Sequence, residues 1–239
     1  MITITHLGVV YPAIPGLLRR LRVLLSRLAP DMALSNYETS KTECESPRLV
    51  SVLFTDIAGF SELMNTWPLE SVVSSLSSYF ERLSRCIYRH NGQVDKFIGD
   101  GMLAVFQSPD DAVNAARAIQ REVALYNTGQ ARRRRCAFPT RIVVDTGPVV
   151  RTRLGLGRDR GWTVMGPVVN TASHLVKSLP PGKVFMSHAT CCRLTERGDL
   201  WLTVAQGTDR NGNRMAVYEI PSPDVESAGM GIPALQRGG

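Results

Sequence analysis

From residue 48 onward, short apolar runs alternate with stretches whose apolar residues recur at helical spacing. Residues 49–54 read as a strand. Pro68 then opens a helix with a stripe of Leu69, Val72, Val73, Leu76, Phe80, Leu83 and Ile87. Residues 94–98 and 102–106 are two strands joined by Gly99-Asp100-Gly101, a hairpin signal. Residues 110–126 form a second helix. Residues 140–145 form a fourth strand, stopped by Thr146-Gly147-Pro148. Beyond it the pattern predicts strands at 149–154, 162–165 and 183–186, helices at 168–179 and 188–196, and closing strands through Trp201 and Tyr218.

The order strand, helix, strand, strand, helix, strand defines an α+β, ferredoxin-like βαββαβ core with a C-terminal α/β extension. Three regions are expected: 1–47, 48–220 and a tail at 221–239. In the first, Leu17, Leu18, Leu21, Leu24, Leu25 and Leu28 recur at helical spacing with arginines between them, and 35–47 reads as a polar linker. A basic amphipathic helix suits a membrane surface or a partner helix. Packing on its own domain or on a dimer mate is the expectation taken here.

The chain has 239 residues, 44% of them apolar, which fits a globular protein. No apolar run is long enough to span a bilayer, and the N-terminus has no secretory pattern. Five cysteines at irregular spacing argue for reduced thiols in a cytoplasmic protein. The net charge of +7 suits a polyanionic ligand, for which a nucleotide serves. Arg132-Arg133-Arg134-Arg135 reads as a solvated loop, and no nucleic-acid partner is expected.

Two aspartates carry the chemistry. Asp56 in Phe54-Thr55-Asp56-Ile57-Ala58-Gly59-Phe60-Ser61 and Asp100 in Ile98-Gly99-Asp100-Gly101 each follow an apolar run beside glycine. Each alone would be an ordinary turn residue. Hairpin geometry brings the two strand ends together, and two carboxylates there can clamp two divalent cations for phosphoryl or nucleotidyl transfer. Gly59, Phe60 and Ser61 lead towards a helix, where backbone N–H groups can hold phosphate.

These stretches, with Arg141 to Val150 and Met165-Gly166-Pro167-Val168-Val169-Asn170-Thr171-Ala172-Ser173, resemble the class III nucleotidyl cyclase catalytic domain in unbroken order. The resemblance implies conversion of a nucleoside triphosphate to its 3′,5′-cyclic monophosphate and pyrophosphate. It implies two Mg²⁺ or Mn²⁺ ions on Asp56, Asp100 and the Ile57 carbonyl. It implies that Lys96 and Thr163 read the purine, as in the Thr-bearing adenylate cyclases, with ATP as substrate. Asn170 matches the ribose-orienting position. His174 stands where the family usually has a phosphate-clamping arginine, so Arg151, Arg153, Arg158 or Arg160 is a candidate substitute. The family's C-terminal Lys-Gly pair is also missing, with Arg210 or Arg214 nearby. The family works as head-to-tail dimers with sites shared between subunits, and this chain carries both sets of residues. A homodimeric adenylate cyclase follows, for intracellular signalling. The alternative is a weakly active or non-catalytic homologue that binds ATP and regulates a partner. A diguanylate cyclase would show Gly-Gly-Asp/Glu-Glu-Phe at the hairpin, which is not the sequence here.

Overall fold

The computed structural model describes residues 43–133, 135–155, 161–195, 203–208 and 212–221, and the backbone of 5–6 and 9–10. The chain divides into two units, Met1–Thr42 and Glu43–Gly239. In the first, β1 (Thr5–His6) pairs antiparallel with β2 (Val9–Val10). The expected leucine-arginine helix lies outside the described residues.

The second unit runs β3 (Arg48–Ile57), α1 (Phe60–Thr66), α2 (Leu69–Arg89), β4 (Gln93–Ile98), β5 (Gly101–Phe106), α3 (Pro109–Arg132), β6 (Thr140–Leu154), β7 (Gly161–Met165), α4 (Pro167–Leu175), β8 (Val184–Ser187), α5 (His188–Cys191), β9 (Thr203–Thr208) and β10 (Arg214–Ile220). The sheet order is β4-β5-β3-β6-β8-β10-β9, with β7 paired to β6. The β4-β5-β3-β6 part is the predicted ferredoxin-like arrangement. β8 joins β6 in parallel, Ile142 opposite Val184, and the rest of the sheet is antiparallel.

Both faces of the central strands are buried, which is why β3 and β5 are nearly continuous in apolar residues rather than alternating. Leu53, Ile57, Met102, Ala104, Phe106, Ile142 and Val144 pack with Tyr79, Leu83 and Ile87 of α2 and Ala116, Ile119 and Val123 of α3. The intervening Val52, Phe54, Leu103 and Val143 pack with Val168, Ala172 and Leu175 of α4. A one-residue slip in β3 would exchange these two sets.

Several expectations need correction. The buried line of α2 is Val72, Tyr79, Leu83, Cys86 and Ile87, whereas Leu69 and Val73 are more than half exposed. Val73 lies about 100° round the helix from Val72, off the buried line. β3 runs through Asp56 instead of ending before it. α3 starts at Pro109 after a Ser108 cap and continues past residue 126 to Arg132. Asn127 explains the extension, because its amide donates to the Phe138 carbonyl at 3.0 Å and accepts from the Phe138 N–H at 2.8 Å. Arg132 therefore ends a helix and Arg133 caps it.

β6 does not stop at Thr146-Gly147-Pro148 and is one strand of 15 residues. Pro148 lies between the segment paired with β8 and the segment paired with β7, where that edge has no partner among the described strands and a missing N–H is tolerated. Residues 43–47, expected as linker, dock on β6. The Glu45 N–H donates to the Arg151 carbonyl at 2.8 Å, and the Arg153 N–H donates to the Glu43 carbonyl at 3.0 Å. The helix expected at 168–179 is α4 followed by a 3₁₀ turn at Val176–Ser178. The helix expected at 188–196 is only the short α5, and residue 196 and Trp201 lie outside the described residues.

Candidate functional site

Two groups of side chains stand out, one at the end of β3 and one between β4 and β7. Asp56 is the penultimate residue of β3, and Asp100 sits in the β4–β5 turn. Antiparallel pairing of Thr55 with Met102 brings the strand end beside the hairpin. Gly101 allows this approach, since a Cβ there would lie 2.7 Å from the Thr55 carbonyl oxygen. The Ile57 N–H donates to Asp100 Oδ2 at 3.2 Å, so the hairpin carboxylate is tied to the residue after Asp56.

The two acids have different neighbours. Asp56 Oδ2 accepts from Arg141 Nη1 at 2.8 Å, and Asp56 and Arg141 are register partners across β3 and β6. Burial pushes the Asp100 carboxyl above the usual range, the negative charge of Asp56 adds to this, and the charge of Lys177 opposes it. Beneath them, the buried Tyr79 hydroxyl shares a 2.7 Å hydrogen bond with Thr140 Oγ1. Burial raises the Tyr79 phenol far beyond its ordinary value. Arg141 and Lys177 escaped the sequence reading because their nearness to the acids depends on strand register and on the turn after α4.

After β3, Gly59 adopts φ 70°, a left-handed conformation that suits glycine, and caps α1. Phe60 and Ser61 occupy the first turn, where backbone N–H groups have no acceptor within the helix. Among the described residues no cluster of three or more His, Cys, Asp or Glu is assembled for a metal. Two converging hard carboxylates, one of them raised in pKa by burial and by the other's charge, nonetheless fit Mg²⁺ or Mn²⁺. Such ions take few protein ligands and leave positions for water and phosphate oxygens.

The second group joins β4 to β7. Lys96 Nζ donates to Thr163 Oγ1, although 67 residues separate the two in sequence. Asp95 lies beside both, with Oδ2 at 3.0 Å from Lys96 Nζ and Oδ1 accepting from the Val164 N–H at 3.2 Å. A groove of about 320 Å³ opens next to them, lined by Val50, Asp95, Val105, Arg151, Trp162 and Val164 among others.

Asn170 and His174 are exposed on α4, away from its buried residues Val168, Ala172 and Leu175. Their i, i+4 spacing puts them on one face. Among the described residues neither side chain has a hydrogen-bond partner. Of the arginines offered as substitutes for the clamp, Arg151 and Arg153 are engaged elsewhere. Arg151 stacks over Trp162 at 4.9 Å and lies 3.6 Å from Glu45, and Arg153 lies 3.8 Å from Glu43. Arg158, Arg160 and Arg210 lie outside the described residues, and Arg214 begins β10.

Residues 42–220 match the adenylate and guanylate cyclase catalytic domain, and the chain belongs to that family. Adenylate cyclase 1 of Rhizobium meliloti (strain 1021) is 31% identical over 133 residues, 53% of this chain and 20% of that protein. An uncharacterized protein of Mycobacterium tuberculosis (strain ATCC 25618 / H37Rv) is 34% identical over 165 residues, 65% of this chain and 29% of that protein. The chain thus spans between a fifth and three tenths of these relatives. The structure of the adenylyl cyclase CyaB from P. aeruginosa matches with a TM-score of 0.67 at 21% identity, covering 75% of this chain and 96% of that chain. The guanylyl cyclase Cya2 matches with a TM-score of 0.65 at 22% identity, covering 74% and 95%. One carries an adenylyl and the other a guanylyl name, so the shared fold does not choose the base.

Proposed function

We propose that this chain is an adenylate cyclase that converts ATP to 3′,5′-cyclic AMP and pyrophosphate at the interface of a head-to-tail homodimer. The observation that carries the choice of ATP is the meeting of Lys96 with Thr163. An ammonium donates to adenine N1, and a threonine hydroxyl can accept from the adenine amino group. The catalytic unit in this reading is 48–220, with 1–47 as a separate region and 221–239 as a tail. Five free thiols fit a cytoplasmic setting, where ATP is supplied.

In this reading Asp56, Asp100 and the Ile57 carbonyl hold two Mg²⁺ or Mn²⁺ ions. When bound, the ions would lower the pKa of the ribose 3′-hydroxyl and balance the charge of the leaving pyrophosphate. The N–H groups of Gly59, Phe60 and Ser61 bind phosphate oxygens. Lys96 and Thr163 position the base, Asn170 orients the ribose, and His174 faces the reacting phosphate from the partner's side of the interface. Exposure of Asn170 and His174 without partners in one protomer supports a site completed by a second copy. Exposed Phe97, Ile98, Trp162 and Met165 flank the base-reading pair and would be covered there.

His174 favours a second reading. Imidazole is shorter than a guanidinium and offers no bidentate fork. A weakly active homologue that binds ATP and regulates a partner would tolerate it. The deciding experiment offers ATP and GTP separately to the purified chain with Mn²⁺ or Mg²⁺ over a range of protein concentrations. Cyclic AMP that rises faster than linearly with protein is the expected result. ATP binding without product would transfer the assignment to the regulatory homologue.

A further inference from the structure

Lys96 and Thr163 together select adenine only if the Thr163 hydroxyl is held as an acceptor. An ammonium is a pure donor and serves guanine O6 as readily as adenine N1. A hydroxyl both donates and accepts, so a free Thr163 rotor could accept from the adenine amino group or donate to guanine O6. Something must fix the direction of that hydroxyl, and the side chain placed to do so is Asp95.

Asp95 and Lys96 are consecutive on β4, so in a regular strand they would face opposite sides of the sheet. The pairing of β4 with β5 slips between Val94 and Lys96. Val94 faces Ala104 and Lys96 faces Leu103, leaving Asp95 as an extra, unpaired residue. Such a bulge re-aims a side chain. Here it lets both side chains reach the same stretch of β7. Asp95 Oδ1 takes the Val164 N–H at 3.2 Å, on the edge of β7 that no described strand covers. Asp95 Oδ2 lies 3.5 Å from Thr163 Oγ1, placed to accept its proton, and 3.0 Å from Lys96 Nζ. The Asp95 side chain is 11% exposed, against 36% for Lys96, so the carboxylate forms the floor under the two polar tips.

We propose that Asp95 is a specificity-determining positioning residue, locking Thr163 as an acceptor towards the purine. An ionised carboxylate accepts only, so it draws the Thr163 proton towards itself. Lys96 donates to the same hydroxyl oxygen. The remaining lone pair of Thr163 can then only accept, which welcomes the adenine amino group and opposes guanine O6. Two of the three ammonium donors are held by Thr163 and Asp95, leaving one for the base. The inference rests on the proposal that the purine is read by Lys96 and Thr163, and it adds what makes that reading directional.

The test compares D95N, T163V and the double variant with the unmodified chain. The readouts are the ratio of kcat/KM for ATP to that for GTP, and the ratio of equilibrium affinities for non-cyclising ATP and GTP analogues. An amide matches the carboxylate in shape and keeps an acceptor for the Val164 N–H, but its NH₂ can donate to Thr163 and free the hydroxyl. D95N is expected to lower the ATP:GTP ratio roughly tenfold, the scale of one reversed neutral hydrogen bond, with an unchanged melting temperature. On a T163V background, D95N should change the ratio less than about twofold, because no hydroxyl remains to orient. An unchanged ratio in D95N, or an equal change on both backgrounds, overturns the inference. If D95N does not fold, D95Q is measured against D95E: the ratio should fall in the first and be kept in the second. If the unmodified chain makes no cyclic nucleotide but D95N still relaxes analogue selectivity, the cyclase reading falls and the role of Asp95 stands.

Discussion

Asp100 and Asp145 are both carboxylates whose pKa burial raises, yet they sit in opposite kinds of surroundings. Asp145 is buried within β6, and its Oδ1 accepts from Ser187 Oγ at 2.5 Å and from the Thr146 N–H at 2.8 Å. The same polar cluster continues through Thr190, Thr146 and Ser51 hydroxyls at 2.8 to 3.2 Å. Its donors are neutral and come from the protein. Asp100 accepts from main-chain donors, has a second carboxylate nearby and is partly open to solvent. Burial alone therefore does not mark a functional acid. An acid held by neutral donors of the fold is architecture, whereas one beside a like charge has capacity for a cation.

The largest expected difference between the two regions is in turnover. Asp56→Ala or Asp100→Ala should lower cyclic AMP formation by on the order of 10²-fold or more, with circular dichroism and melting temperature nearly retained. Asp145→Ala should instead cost about 1–3 kcal/mol of stability, because Ser187 and the Thr146 N–H lose their acceptor. Its kcat at a temperature where it stays folded should change little. If Asp145→Ala silenced the folded protein, or if either site variant kept full turnover, the contrast would be lost.

His174→Arg sharpens the same contrast from the other side, since it adds a charged donor instead of removing an acceptor. With Arg151 and Arg153 engaged by Trp162, Glu45 and Glu43, no described arginine from that stretch is free to replace the clamp. The substitution should raise kcat by up to about 10²-fold, with little change in the ATP:GTP ratio. Equal turnover in the variant would mean that another cation already does this work.

How much of this was legible in the chain follows from the range over which each signal acts. Asp56 and Asp100 could be singled out because glycines beside them are local marks of tight turns and close approach. Lys96, Thr163, Asn170 and His174 were found through motifs, and the helical period alone put Asn170 and His174 on one face. Asp95 was passed over because strict alternation points it away from Lys96, and a bulge leaves no mark in a strand pattern. Arg141 and Asp145 depend on partners from other strands, which only register decides. The end of α3 was misplaced because Asn127, Thr128 and Gly129 look like a loop, while the bond from Asn127 to Phe138 is a tertiary contact. β6 was cut at Pro148 because the sequence does not reveal that its neighbours leave a gap at that residue.

The pH dependence of stability separates the two acids without any assay of turnover. The folded pKa of Asp145 is raised, so the native state holds its proton more tightly than the unfolded chain does. Stability from this group is complete below the unfolded carboxylate value of about 3.9 and declines as pH rises through the folded value. Asp145→Asn keeps an acceptor for Ser187 and Thr146 but cannot ionise. Its melting temperature should therefore fall less than that of the unmodified chain between about pH 4 and neutrality. A parallel decline in both proteins would show that Asp145 does not ionise in that window.

Asp100 has the same sign, but here a cation should reverse it, and this is the smallest effect. Mg²⁺ or Mn²⁺ needs the ionised carboxylates, so adding either ion with a non-cyclising ATP analogue should stabilise the native state. The gain is about 1.4 kcal/mol at ten times the dissociation constant, since only the folded chain offers the site. The increment should grow as pH rises and deprotonates Asp100. It should vanish in Asp56→Ala and survive unchanged in Asp145→Asn, because in the unmodified chain that side chain is held by Ser187 and the Thr146 N–H rather than by a cation. The comparison is made by thermal denaturation with and without the ion, at fixed ionic strength and protein concentration, because a dimer's apparent stability depends on both. An ion-dependent gain that persisted in Asp56→Ala would place the cation elsewhere and remove the distinction between an acid that holds the fold and an acid that awaits a ligand.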